Sequence, residues 1–145
     1  AIEWTQYVRC IVVGGDEVNP ALWDPRHGHF DRYSKAAASM PAFDAALEAR
    51  VIKDAQTLCR ALGYDMNTVE FGVRDGIPYA IDFMNSAPDF DVTSLGPDKL
   101  AWVTRKMADL VIDLALVSTR HPTAPDAVTG VLVGGPPSTR PAVGS

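Results

Sequence analysis

Several resources are scarce in this chain, and each scarcity excludes something. Two cysteines in 145 residues rule out a disulfide framework, and Cys10 and Cys59 lack the spacing of paired metal ligands. Cys10 falls in an apolar strand pattern and Cys59 in a helical one, so both are expected as buried free thiols in a reducing cytoplasm. No apolar run approaches the roughly 20 residues that span a bilayer, and no signal-peptide pattern is present, so no membrane partner is expected. Positive charge is also short. Lys and Arg total 13 against 18 Asp and Glu, a formal charge of −5, which leaves no broad basic field for nucleic acid. Gly134-Gly135 is no phosphate loop, because neither a lysine nor a helical pattern follows it. There is no internal repeat.

What remains is the composition of an ordinary globular domain, 47% hydrophobic and 21% charged, and long enough for a proper core. The chain enters a strand pattern directly at Ala1-Ile2-Glu3-Trp4, which reads as a fragment of a longer protein. Residues 1–118 are expected to form the folded unit. Residues 119–145, rich in Pro and Gly, read as a tail, partly disordered, with Val131-Leu132-Val133 as one short strand or docking segment.

Periodicity predicts an α+β fold: an antiparallel sheet of strands at 2–13, 17–23, 66–74 and 77–85, with helices at about 41–62 and 98–118 packed on its apolar face. Pro20 suggests an edge or bulge position for the second strand. Phe43, Leu47, Val51, Ala55, Leu58 and Leu62 form the stripe of the first helix, with Ser39 as its cap, Asp44 in its first turn and Gly63 beyond its end. Pro97 suits the first position of the second helix. Asp24 to Met40 reads as a polar loop. With no third ligand nearby, His27 and His29 there are not read as a metal site, and nothing singles out Arg26, Arg32 or Lys35 as an anion contact.

The informative stretch is Asn67–Asp89, two strands joined at Asp75-Gly76. Val69, Phe71 and Val73 alternate with Thr68, Glu70 and Gly72, while Ile77, Tyr79, Ile81 and Phe83 oppose Ala80 and Asp82. A two-residue loop would set Glu70 against Ile81. A three-residue loop (Arg74, Asp75, Gly76) pairs Val73 with Ile77, Thr68 with Asp82 and Glu70 with Ala80, keeps one face dry, and is the register preferred. Glu70 and Asp82 then become diagonal neighbours, about 7–8 Å apart at the backbone, able to share a cation. Asn85 joins them if a bulge forms at Phe83-Met84; Asp89 and Asp91 are the alternatives if it does not. Oxygen donors of this kind suit Mg²⁺ carrying nucleotide phosphates, whereas the plainer reading has both acids on the wet face of a sheet.

The hairpin resembles the C-terminal metal-binding segment of the ATP-grasp superfamily, where a T-I-E-F type strand is followed by an I-E-M-N type strand. Thr68-Val69-Glu70-Phe71 matches the first; Ile81-Asp82-Phe83-Met84-Asn85 matches the second, with Asp for Glu and one residue inserted before Asn. The likeness runs from Trp4 to about Ser94. It implies that Glu70, Asp82 and Asn85 bind Mg²⁺ (or Mn²⁺) with ATP, and that Arg9, in Tyr7–Gly14, reaches a phosphate or the substrate carboxylate. The implied activity is that of a carboxylate–amine ligase of the glutathione-synthetase or ribosomal-protein glutamate ligase type. Such enzymes activate a small carboxylate as an acyl-phosphate for attack by an amine, and no sugar-binding aromatic platform around the acids suggests a glycosidase instead. The nucleotide-clamping lobe should lie before Ala1. Residues 1–145 are therefore expected to be inactive alone, to bind Mg-ATP no tighter than about millimolar, and to form homo-oligomers through the uncovered apolar surface. The competing reading is a non-catalytic binding or assembly module with a drifting metal site.

Overall fold

The computed structural model describes residues 2–85, 87, 88 and 90–120. The expectations for the segment 121–145, and for Asp89, lie outside these residues. The chain divides into two compact units, Ala1–Ile112 and Asp113–Ser145; the described part of the second is the last turns of one helix.

Four strands, β1 (Gln6–Val13), β2 (Glu17–Leu22), β3 (Met66–Arg74) and β4 (Ile77–Asn85), form one antiparallel sheet in the order β2-β1-β3-β4. Between β2 and β3 come a 3₁₀ turn (His29–Asp31), α1 (Ala36–Ser39) and α2 (Ala45–Leu62). After β4 follow α3 (Val92–Leu95) and α4 (Pro97–Arg120). The α+β class and the antiparallel sheet are as the periodicity predicts. The first strand is shorter, beginning at Gln6: Thr5 still donates its N–H and hydroxyl to the Val73 carbonyl, but Trp4 has left the ladder. Pro20 sits on the edge strand β2, where its missing N–H costs no ladder bond.

One face of the sheet carries Val8, Cys10, Val12, Val69, Phe71 and Val73, all buried against Leu47, Val51, Ala55 and Cys59 of α2. Those helix residues step by four, so they share one side of the cylinder. Fully burying a side chain such as Val51 stabilises by about 1.5–3 kcal/mol, so this stripe holds α2 in place. The helix starts at Ala45, and its cap is Asp44, whose carboxylate accepts from the Leu47 N–H at 2.8 Å; Ser39 instead closes α1. At the other end Gly63, at φ 72°, lets its own N–H and that of Tyr64 return to the carbonyls of Arg60 and Cys59.

The second long helix overturns an expectation. α4 lies on the opposite face, where Val103 and Leu95 pack on Ile11 and Val13, joined by Leu100, Met107 and Leu110. β1 turns uniformly apolar after Arg9 because its last residues are covered on both sides, so Ile11 and Val13 need a helix of their own. That face is therefore not open along its length. Its uncovered part lies toward β4: of the expected dry set, Ile77, Tyr79 and Ile81 are exposed, while Phe83 packs partly against the α2 core.

Asp24–Met40 is likewise folded. The buried Asp24 carboxylate accepts from Arg26 Nε and Nη2 at 2.8 and 2.7 Å, from the Arg26 N–H at 3.0 Å and from the Ser39 hydroxyl at 2.9 Å. Arg26 holds this carboxyl well below the usual range. Four hydrogen bonds to one buried acid make it the hub of the segment.

Candidate functional site: a charged row across three strands

The hairpin loop has two residues, not three. Asp75 at φ 53° and Gly76 at φ 73° make the tight left-handed turn, and Arg74 pairs with Ile77. Carried on regularly, that register would place Ile81 opposite Glu70. Instead Phe71 pairs with Ala80 and Glu70 with Asp82, so Ile81 is an extra residue pushed outward, 42% exposed. The bulge restores what the short loop would lose: the two carboxylates stand directly opposite each other.

A second irregularity follows. Thr68 pairs with Asn85, so two residues of β4, Phe83 and Met84, oppose one of β3, Val69, between the Asp82 and Asn85 pairings. This bulge places Asn85 on the side that holds Thr68 and Glu70. Buried Asn67 stitches it from beneath, donating to the Phe83 carbonyl at 2.8 Å and accepting from the Asn85 N–H at 2.9 Å. The pattern signal for Asn67 is an amide on the core side of an apolar alternation, where burial demands that its polar atoms be paired. It was not singled out from the sequence.

Arg9 of β1 pairs with Glu70 of β3, so a row Arg9–Glu70–Asp82 crosses three strands on one face. Arg9 Nε lies 3.3 Å from Glu70 Oε1, an ion pair by distance. Nε nonetheless has no aligned hydrogen-bond acceptor, so the contact is Coulombic rather than a directed bond. Arg9 Nη1 donates to the Tyr33 hydroxyl at 3.0 Å and Nη2 reaches Thr68 Oγ1 at 3.4 Å, while its plane lies over Trp23. Burial raises the Glu70 carboxyl above its ordinary value; Arg9 pulls it back, Asp82 pushes it up again, and Arg32 opposes.

The donor set that includes Glu70, Asp82 and Asn85 consists of hard oxygens, which fit a divalent cation such as Mg²⁺. The buried acid facing a second acid is a place where added positive charge relieves repulsion. Among the described residues no group of three or more His, Cys, Asp or Glu could hold a metal, so phosphates and water would have to complete the shell. Asp91 is committed elsewhere: it caps α3, accepting from the Thr93 and Ser94 N–H groups. The two histidines part company, His27 lying 3.6 Å from Asp24 and His29 Nε2 lying 3.3 Å from the Ser94 hydroxyl.

The α+β arrangement of one antiparallel sheet with helices is consistent with an ATP-grasp fold, and likeness to solved structures of an ATP-grasp ligase shows that the chain has that fold. Two crystal structures of D-alanine–D-alanine ligase from Bacillus anthracis, one complexed with ATP, resemble it with a TM-score of 0.55. Identity is 22% and 23%, over 85% of this chain and 42% and 43% of those chains. The chain thus spans less than half the length of the ligases it resembles. At this identity the likeness establishes the fold and leaves side-chain roles to the geometry. No protein-family model matches the chain, and no curated protein matches it. No helix among the described residues is long and apolar enough to cross a membrane.

Proposed function

We propose that this chain is part of an ATP-dependent carboxylate–amine ligase, in which a carboxylate is activated as an acyl-phosphate for attack by an amine or related nucleophile. The observation that carries the reading is the opposition of Glu70 and Asp82 beside Arg9, on a fold shared with ligases. Glu70, Asp82 and Asn85 would hold Mg²⁺, or Mn²⁺, with ATP. The metal, when bound, supplies neutralisation of phosphate charge.

The chain's own residues do the rest. The two carboxylates act as ligands rather than as acid and base. Asn67, through the bulge, keeps Asn85 on their side. Arg9, 9% exposed and stacked on Trp23, presents a fixed positive charge at the place where negative charge develops. Held this way it needs no reorganisation when the charge appears.

The test is ADP release by the full-length protein across a panel of carboxylates and amines, with Asp82→Asn as the control. Asp82 is exposed, so its replacement should leave stability within about 0.5 kcal/mol of wild type, whereas loss of a metal ligand should lower turnover at least roughly 100-fold. Absence of ADP release with every pair, or an Asp82→Asn enzyme as fast as wild type, would replace the ligase by a non-catalytic module of the same fold.

A further inference from the structure

Two arginine–carboxylate pairs in this chain are built differently. Arg26 donates Nε to one oxygen of Asp24 at 2.8 Å and Nη2 to the other at 2.7 Å, a closed fork that uses both oxygens. Arg9 and Glu70 stand directly opposite each other on neighbouring strands, with Nε 3.3 Å from Oε1, yet no fork forms. Nε has no aligned acceptor, although the side chain is only 11% exposed. A buried N–H beside a carboxylate would ordinarily turn to meet it, because a buried donor without an acceptor is costly. Something holds the guanidinium off.

The holding groups are two hydroxyls and a ring. Nη1 donates to the Tyr33 hydroxyl at 3.0 Å and Nη2 to Thr68 Oγ1 at 3.4 Å, so each terminal nitrogen directs a bond to a hydroxyl rather than to Glu70. The centre of the Trp23 ring lies 5.7 Å from Arg9 Cζ and supports the plane in that pose. Tyr33 is itself fixed. Its ring packs against the cluster of Ile11, Val13, Leu95 and Val103, and its carbonyl accepts from the Ala36 N–H at 3.4 Å. The preceding carbonyl, that of Arg32, accepts from the Asp24 N–H at 2.9 Å, so the Asp24 hub sets the backbone from which Tyr33 reaches Arg9. Bonds to these hydroxyls occupy the guanidinium without consuming a carboxylate oxygen.

We propose that Tyr33, supported by Thr68, is a positioning residue that keeps the Arg9 guanidinium from forking onto Glu70, so that the Glu70 carboxylate stays open to a divalent cation. This rests on the reading of Glu70 and Asp82 as ligands of the metal carried with ATP. Without the Tyr33 hydroxyl, Arg9 turns and takes both oxygens of Glu70 as Arg26 takes those of Asp24. A cation would then have to displace a closed ion pair. The charges are the same in both poses, and only the direction of the donors changes.

The test is a double-mutant cycle in the full-length protein, with Tyr33→Phe, Glu70→Gln and the two together. Urea unfolding at pH 7 reads the first arm and needs no ligand. Glu70→Gln should shift the folding equilibrium at least roughly 3-fold more unfavourably in the Tyr33→Phe background than in wild type, because only there does it break a fork. Mn²⁺ titration followed by electron paramagnetic resonance, with a non-hydrolysable ATP analogue present, reads the second arm. Tyr33→Phe should weaken Mn²⁺ binding roughly 10-fold, as loss of a group that orients a metal ligand does, and should have no such effect in the Glu70→Gln background. Thr68→Val releases the other terminal nitrogen, should move both readings the same way, and serves if the Tyr33 variant does not fold. No coupling in unfolding, unchanged Mn²⁺ binding in Tyr33→Phe, or an equal loss of Mn²⁺ binding in both backgrounds overturns the positioning role. Coupling in unfolding, in a protein whose wild type binds no Mn²⁺ with the nucleotide, leaves the hold of Tyr33 on Arg9 standing and refutes the metal site on which the ligase rests.

Discussion

Glu70→Gln separates a residue kept for chemistry from one kept for folding. Glu70 is mostly buried, 13% exposed at its side chain, with Arg9 at 3.3 Å and Asp82 opposite. If the ion pair dominated, removing one partner would cost about 3 kcal/mol, since breaking a buried pair leaves a charge unanswered. The raised Glu70 carboxyl points the other way: burial and Asp82 together disfavour the ionised acid more than Arg9 and Arg32 favour it. Arg9 would also keep Tyr33, Thr68 and Trp23 as partners. A neutral, isosteric Gln should therefore change stability at pH 7 by about 0 to +1 kcal/mol, a rise of up to roughly 4 °C in Tm.

The pH dependence follows from the direction of the shift. An acid whose folded value is raised weakens the fold as pH climbs from its unfolded value, about 4.3, through its folded one. Near pH 3, about a unit below the unfolded value, wild-type Glu70 is largely protonated in both states, and the advantage of Gln should vanish. Urea unfolding of wild type and variant from pH 3 to 8 measures this directly. A loss above about 2 kcal/mol at pH 7, or a difference that does not vary with pH, would refute the reasoning.

Asp24→Asn should behave oppositely, costing about 2–4 kcal/mol at neutral pH, because the amide brings donors against the Arg26 fork and the Ser39 hydroxyl. Since the Asp24 carboxyl is lowered, its contribution is present above about pH 4 and fades as pH falls below that, so the two proteins should converge in acid unfolding. Gly72→Ala would place a methyl group 2.5 Å from Trp4 Cδ2, so the indole must leave the sheet or the strand must shift. The expected loss is about 1–3 kcal/mol with a red shift of tryptophan emission; an unchanged spectrum and midpoint would contradict the packing.

Local pattern was enough for the sheet, α2 and the acidic hairpin, because each writes its own period into the chain. Val69, Phe71 and Val73 alternate, Val51, Ala55 and Cys59 recur by four, and Asp75-Gly76 announces a turn. Glu70 and Asp82 were legible as neighbouring oxygen donors for the same reason, Asn85 only on the condition of a bulge, and the structure sets Glu70 opposite Asp82 with Asn85 on their side of the sheet.

Register was not legible. A one-residue bulge is invisible to periodicity, yet it decided that Glu70 meets Asp82 rather than Ile81, and a buried amide elsewhere in the hairpin, Asn67, holds the bulge beyond it. The face chosen by α4 was hidden too, since a helix carries its stripe wherever it docks; only the double-sided burial of Ile11 and Val13 calls it to the Arg9 side. Asp24, Trp23 and Arg32 looked like loop residues because their partners are not periodic neighbours. Which cations are paired is a property of distances in space, and only the folded chain brings Trp23 and its two guanidinium groups beside Glu70.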